Sequence, residues 1–240
     1  MNVPGHTELE NELEGLGERV KFLIYSIFHD LKNPIISIHG LASLLQRQYG
    51  AALDNRGNKY CGQILKAAEQ AEALIDGINA YLTIRKTRLE FEECSLREIV
   101  QSVREEFDGV LTVRQITWVE SDVMPILRAD RISILRMLGN LVDNALKYGG
   151  PDLGVVKVEY RDTKGFHVIS VSDDGVGIPI EECTRIFGLF QREASARGIE
   201  GTGLGLAIVK EIAAAHGGKV LAIPGRKKGV TFRCFLSKAL

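Results

Sequence analysis

Apolar residues recur at Leu16, Val20, Leu23, Ile27, Leu31, Pro34, Ile38, Leu41 and Leu45, in steps of three and four. That is the seam of an amphipathic helix suited to a bundle or coiled coil, and it predicts helix over residues 9–48. Asp54-Asn55-Arg56-Gly57-Asn58 reads as a turn. A second seam, Ile64, Ala67, Ala71, Leu74, Ile78 and Tyr81, fades into the charged stretch 85–88. Two long helices on a short loop form an antiparallel hairpin, and a lone hairpin leaves its stripe half covered. A second copy would close a four-helix bundle, so the pattern predicts a homodimer.

From residue 91 the texture changes. Ser95 with Glu98 three residues on predicts a capped helix through Phe107. Strands are expected over 115–120, 155–162 and 166–171. A helix over 130–148 carries apolar Ile134, Leu138, Leu141, Val142 and Ala145, and another over 203–216 is stopped by Gly217-Gly218. Closing strands at 219–223 and 230–235 flank a turn at 225–229. The expected fold is therefore α + α/β: a helical hairpin domain at 9–90, dimerising as a four-helix bundle, then an α/β sandwich at 95–238.

Bulk properties narrow the classes. The 240 residues suffice for two domains, and 45% hydrophobic content suffices for their cores. A net charge of -1 offers no basic excess for nucleic acid or an anionic membrane. Cys61, Cys94, Cys183 and Cys234 are scattered, which argues against zinc or disulfides and for a cytoplasmic setting. No apolar run reaches the roughly 18 residues of a membrane span. Leu9, Leu13, Leu16 and Val20 look like a coiled coil cut from something upstream, and the expected cytoplasmic setting leaves open that a full-length parent is membrane-attached.

Four polar clusters carry candidate chemistry. His29-Asp30-Leu31-Lys32-Asn33-Pro34 sits inside the first helix. At about 100° per residue His29 lies nearly opposite Ile27 and Leu31, so its imidazole is expected in solvent beside an acid. Asn33 follows one turn along on the same face. Taken alone, this is also what a plain solvated face looks like. Asn140, Asn144 and Lys147 share one face of a later helix, next to Tyr148. Carboxamide oxygens suit magnesium, and an ammonium suits phosphate.

Asp173-Asp174-Gly175-Val176-Gly177-Ile178 follows a strand. A carboxylate there can accept from an exocyclic amine, and the glycines let backbone approach a flat ring. Gly201-Thr202-Gly203-Leu204-Gly205 opens a helix, where unpaired N–H groups and the dipole favour phosphate. It is neither a P-loop nor a dinucleotide fingerprint. Between the last two, Phe187 to Phe190 leads through Gln191 and Arg192 into 193–201, expected to form a lid with Arg192 reaching a phosphate.

In this order and spacing the motifs resemble the sensor histidine kinases, over residues 16–236. The resemblance implies a phosphoacceptor hairpin followed by the ATP-binding domain of the gyrase, chaperone, kinase and MutL superfamily. It makes His29 the phosphorylated residue, Asp30 its proton acceptor and Pro34 a helix-bending proline. Asn144 becomes the magnesium ligand, with Asn140, Lys147 and Tyr148 beside it. Asp173 matches the adenine-amine acceptor, Gly175, Gly177 and Ile178 line the base pocket, Phe190 and Arg192 border the lid, and Gly201, Thr202, Gly203, Leu204 and Gly205 hold its phosphate side. Position 140 is Asn where the superfamily's ATPases have a water-activating Glu, so bound ATP is expected to wait for a histidine. Asn33 matches the residue that in relatives positions a water for dephosphorylating the partner receiver domain. ATP, magnesium and a response-regulator receiver domain are thus the implied cofactors and partner. A scaffold that only binds ATP and a phosphatase with an idle histidine are rivals, and a third, an ATPase of the gyrase type, is disfavoured by Asn140 and the His-bearing hairpin.

Overall fold

The computed structural model describes residues 4–86, 89–191 and 201–239. It divides into two compact units, Met1–Leu82 and Thr83–Leu240.

The first unit is a hairpin of α1 (Pro4–Tyr49) and α2 (Asn55–Lys86). Lys32 Nζ lies 2.6 Å from Asp76 Oδ1, and His39 Nε2 lies 3.5 Å from Glu69 Oε1. These rungs step seven residues up one helix and seven down the other, so the helices are antiparallel and keep a heptad register. The turn falls earlier than expected, because Asp54 stands just ahead of α2 instead of opening a loop. Its Oδ1 accepts the Gly57 N–H at 2.6 Å, and the Asn58 amide donates to the carbonyls of Gly50 and Leu53. An Asp at the head of a polar run is as good a helix start as a turn. Ala42, Cys61, Ala68 and Ile75 fill the hairpin interior. Ile27, Leu31, Ile38, Leu41 and Leu45 of the seam stay 42–68% exposed on the outside.

The second unit runs β1 (Glu92–Ser95), α3 (Leu96–Val113), β2 (Thr117–Glu120), β3 (Ile126–Ala129), α4 (Arg131–Tyr148), β4 (Val155–Asp162), β5 (Phe166–Asp173), α5 (Gly205–Ala215), β6 (Lys219–Pro224) and β7 (Val230–Ser237). Five strands form one sheet in the order β2-β4-β5-β7-β6, with β2 and β4 parallel and the other pairs antiparallel. Alternation decides the faces: Val156 and Val158 of β4, and Val230, Phe232, Cys234 and Leu236 of β7, turn inward under the helices. On α4 all five apolar positions read from the sequence are buried, together with Met137 and Leu146. Asp130 caps this helix, its carboxylate accepting the Ser133 N–H.

Two features depart from expectation. Helix α3 continues to Val113, since Leu111 extends the buried stripe of Leu96, Ile99, Val100 and Val103 past Gly109. Strands β1 and β3 form an unforeseen antiparallel pair, with Glu93 opposite Arg128. Each has only four residues: β1 (Glu-Glu-Cys-Ser) does not alternate, and β3, which does alternate in burial, reads Ile-Leu-Arg-Ala, with no polar–apolar alternation to mark it in the sequence.

Candidate functional site

His29 and Asp30 are neighbours on α1, with Asn33 one turn on from His29. The side chain of His29, and with it the expected solvent-facing imidazole, lies outside the described residues. Asn33 is exposed, and its carbonyl accepts the Ser37 hydroxyl at 3.0 Å. Pro34 stands inside an unbroken helix. It has no N–H to give to the Asp30 carbonyl four residues back, so the ladder is one rung short beside the histidine.

In the second unit three motifs meet at the C-terminal end of α4. A Cβ on Gly205 would fall 2.8 Å from Asn140 Oδ1, and one on Gly201 would fall 2.6 Å from the Tyr148 hydroxyl. The glycine-rich segment before α5 therefore lies directly on the Asn140–Tyr148 face. A Cβ on Gly175 would overlap the Cα and carbonyl of Gly149, just past α4, and the Val176 N–H donates to the Gly149 carbonyl at 3.0 Å. Gly177 closes the other side: its φ is 76°, and a Cβ there would stand 2.7 Å from the Gly229 carbonyl in the β6–β7 turn. Ile178 is half-buried next to it, and Leu204 is fully buried at the start of α5 with its N–H directed at the Thr202 hydroxyl. Phe190 is exposed with φ 57°, and its backbone lies about 3 Å from where a Gly203 Cβ would stand. Arg192 lies outside the described residues, as does most of the expected lid.

The charges in this pocket are differentiated. Asp173 ends β5, where it accepts the N–H groups of Gly175 and Val230. Burial nevertheless raises its pKa above that of an ordinary aspartate. The neighbouring Asp174 accepts the N–H groups of Gly154 and Val155, both at 2.9 Å. Despite some desolvation, those bonds hold its pKa below the ordinary value. Asp174 is thus an anchor for the start of β4, while Asp173 is a carboxylate kept in a drier place. Lys147 Nζ lies 2.6 Å from Asp143 Oδ2 one turn back, so its ammonium is engaged on the helix surface.

Two features of this region suit a ligand. The Asn144 Nδ2 is shut from solvent without a hydrogen bond. Helix α5 opens without a side-chain cap at Leu204, leaving its first N–H groups to a loop, water or an anion. Both suit phosphate oxygens. Among the described residues no group of His, Cys, Asp and Glu could cage a metal ion. A single carboxamide oxygen at Asn144 fits magnesium carried in on phosphates, which keeps waters and needs few protein ligands.

Sequence reasoning missed the wall formed by Gly149 and Gly150, which supports the 173–177 loop. The doublet before Pro151 was its signal. It also missed His216, which is fully buried: Nε2 accepts the Asp130 N–H, Nδ1 pairs with the Ile212 carbonyl, and Phe91 packs edge-on against the ring. Among the described residues no helix is long and apolar enough to cross a membrane.

A model described as the His Kinase A (phospho-acceptor) domain matches residues 20–86, and one described as histidine kinase-, DNA gyrase B- and HSP90-like ATPase matches residues 129–240. Cyanobacterial phytochrome B of Nostoc sp. is 28% identical over 227 residues, which are 94% of this chain and 30% of that protein. The catalytic domain of histidine kinase ThkA, in a nucleotide-free form, is 32% identical with a TM-score of 0.55, covering 62% of this chain and 99% of that one. The complex of histidine kinase ThkA with response regulator protein TrrA gives 27% identity and a TM-score of 0.63, over 95% of this chain and 64% of that one. The chain spans about a third of the length of the first curated relatives it matches.

Proposed function

The chain belongs to the sensor histidine kinases, and on that premise we propose that it is an ATP-dependent protein-histidine kinase acting through His29 on a response-regulator aspartate. The observation that carries this reading is the junction of three motifs around α4, in a chain whose α1 bears His29-Asp30-Leu31-Lys32-Asn33-Pro34. The pocket has an amine acceptor in Asp173, backbone surfaces at Gly175 and Gly177 for a flat base, and N–H groups at α5 for phosphates.

In the proposed reaction one imidazole nitrogen of His29 attacks the γ-phosphorus of ATP. The N–P bond forms as the bond to the β–γ bridging oxygen breaks, and ADP leaves. Asp30 takes the proton from the other nitrogen, which keeps the attacking one nucleophilic. Asn144 would hold magnesium on the nucleotide, where the ion supplies charge neutralisation. With Asn at position 140, no carboxylate stands ready to activate water, so positioning of the histidine decides the outcome. A receiver aspartate then takes the phosphoryl group from His29. That step is supported by the kinase–regulator complex of a relative.

Two finer readings belong with this one. The exposed seam of Ile27, Leu31, Ile38, Leu41 and Leu45 supports a homodimer built as a four-helix bundle. Asn33, one turn from His29, supports a second activity as phosphatase toward the regulator. Asn33→Ala should lose that activity and keep autophosphorylation; loss of both would count against it. Lys147, Tyr148, Ile178, Phe190, Arg192 and Thr202 complete the proposed nucleotide site.

The deciding experiment is incubation with γ-labelled ATP and magnesium, comparing the wild type with His29→Gln. Label in the wild type alone, stable to base and labile to acid, supports the reading. A wild type that neither labels nor binds ATP sinks it.

A further inference from the structure

We propose that Arg114 is a positioning residue for the base pocket, setting from outside how closely the 149–150 wall stands to Gly175. The inference rests on the nucleotide-binding reading above. Arg114 does not touch the pocket and belongs to the end of α3.

Helix α3 ends with Gln115 in the left-handed region at φ 55°, its N–H on the Thr112 carbonyl and the Ile116 N–H on Leu111. This is the usual two-bond helix stop, except that the residue with positive φ is not glycine. The stop turns Arg114 toward α4. Its Nη1 donates to the Leu146 carbonyl at 2.5 Å, and its Nη2 donates to the Gly150 carbonyl at 2.7 Å.

Leu146 is in the last turn of α4, where carbonyls have no partner within the helix and the dipole favours a cation. One guanidinium therefore caps the helix that carries Asn140 and Asn144 and also holds the loop that follows it. A planar fork fixes the spacing of those two carbonyls, and an ammonium cannot.

That spacing matters because the wall it sets is packed backbone to backbone. Gly175 has no room for a Cβ against Gly149, Val176 is hydrogen-bonded to the Gly149 carbonyl, and a Cβ on Gly150 would stand 2.9 Å from Val176 Cγ1. Asp174 fixes the far end of the same loop through Gly154 and Val155. With Asp174 holding one end and Arg114 the other, a shift at Gly150 passes into Gly175 and alters the depth of the pocket before Asp173.

The test uses the full chain and its Arg114→Lys and Arg114→Gln variants, assayed for autophosphorylation against ATP concentration, with thermal melting alongside. Inhibition by inorganic tripolyphosphate, which has no base, is measured in parallel. In Arg114→Gln the KM for ATP should rise about tenfold, within the worth of hydrogen bonds to a charged group, while kcat stays within about twofold and tripolyphosphate inhibition is unchanged. Arg114→Lys should fall between. Unchanged KM in both variants overturns the proposal. So does a parallel loss of ATP affinity, tripolyphosphate inhibition and melting temperature, which would make Arg114 structural only. A wild type that binds no ATP would instead overturn the nucleotide reading itself, and this inference with it.

Discussion

Asn140 stands where Gly205 has no side chain: a carbon added on Gly205 would lie 2.8 Å from Asn140 Oδ1. Asn140 is already committed through Nδ2 to the Arg136 carbonyl at 2.8 Å, so its carboxamide has little room to retreat. Gly205→Ala should displace it and lower ATP affinity about tenfold, the equivalent of ~1.4 kcal/mol. Stability should not fall, since alanine suits a helix better than glycine. Titration calorimetry and thermal melting together separate the two effects.

Gly175→Ala should behave in the opposite way. The obstacle there is the backbone of Gly149, which no rotamer change relieves. Overpacking of this kind costs about 1–3 kcal/mol. Denaturant unfolding should therefore show a lower midpoint even without nucleotide.

Asp173 links binding to pH. Its pKa is raised above 3.8, so the folded state holds that proton more tightly than the unfolded chain. Stability then declines as pH climbs from 3.8 through the raised value, and the penalty is complete at neutral pH. Asp173→Asn removes the penalty while keeping an oxygen for Gly175 and Val230. At pH 7 its melting temperature should equal or exceed the wild type's. ATP affinity should drop about 10–100-fold, as expected for losing a charge-assisted bond. A variant that melts lower yet binds ATP normally would reverse both roles.

His216 sets an acid limit. Burial lowers its pKa below 6.5, so the fold favours the neutral ring, which accepts from the Asp130 N–H through Nε2. Stability tied to this group is present above pH 6.5 and lost as pH falls from there through the lowered value. His216→Gln should be less stable at neutral pH, by about 1–3 kcal/mol for disrupted buried bonds. Its melting temperature should also change less between pH 7 and 5 than the wild type's. Parallel curves for the two proteins would remove His216 from the pH response.

At the end of α3, Gln115→Gly should raise stability by about 1 kcal/mol, because a left-handed conformation costs a side-chain-bearing residue roughly that much. Melting should rise by a few degrees, with no change in the register of α3.

Long periodic elements were legible in the sequence. The seam of α1, the stripe of α4 and the strands β4 and β5 each repeat their signal often enough to outweigh local exceptions. The short pair β1 and β3 was not, because four residues cannot display a period and their pairing partner is remote in the chain. The glycine motifs could be named from order and spacing alone. What they press against could not: that Gly201 meets Tyr148, or Gly175 meets Gly149, depends on tertiary approach. Lys147 shows the converse. Its helical phase was plain, but the nearest partner for its charge turned out to be Asp143 on its own helix.

The hairpin is tied at its closed end, where the Asn58 amide and the Asp54 carboxylate hold residues 50–57, and further along by the half-exposed ion pairs His39–Glu69 and Lys32–Asp76. Two rods joined in this way cannot relieve a push by sliding past each other; they bend or twist. Roughly 30 Å of helix separates Gly50 from His29. The histidine therefore rides on a lever arm, and the turn with the missing rung at Pro34 is where that arm yields first.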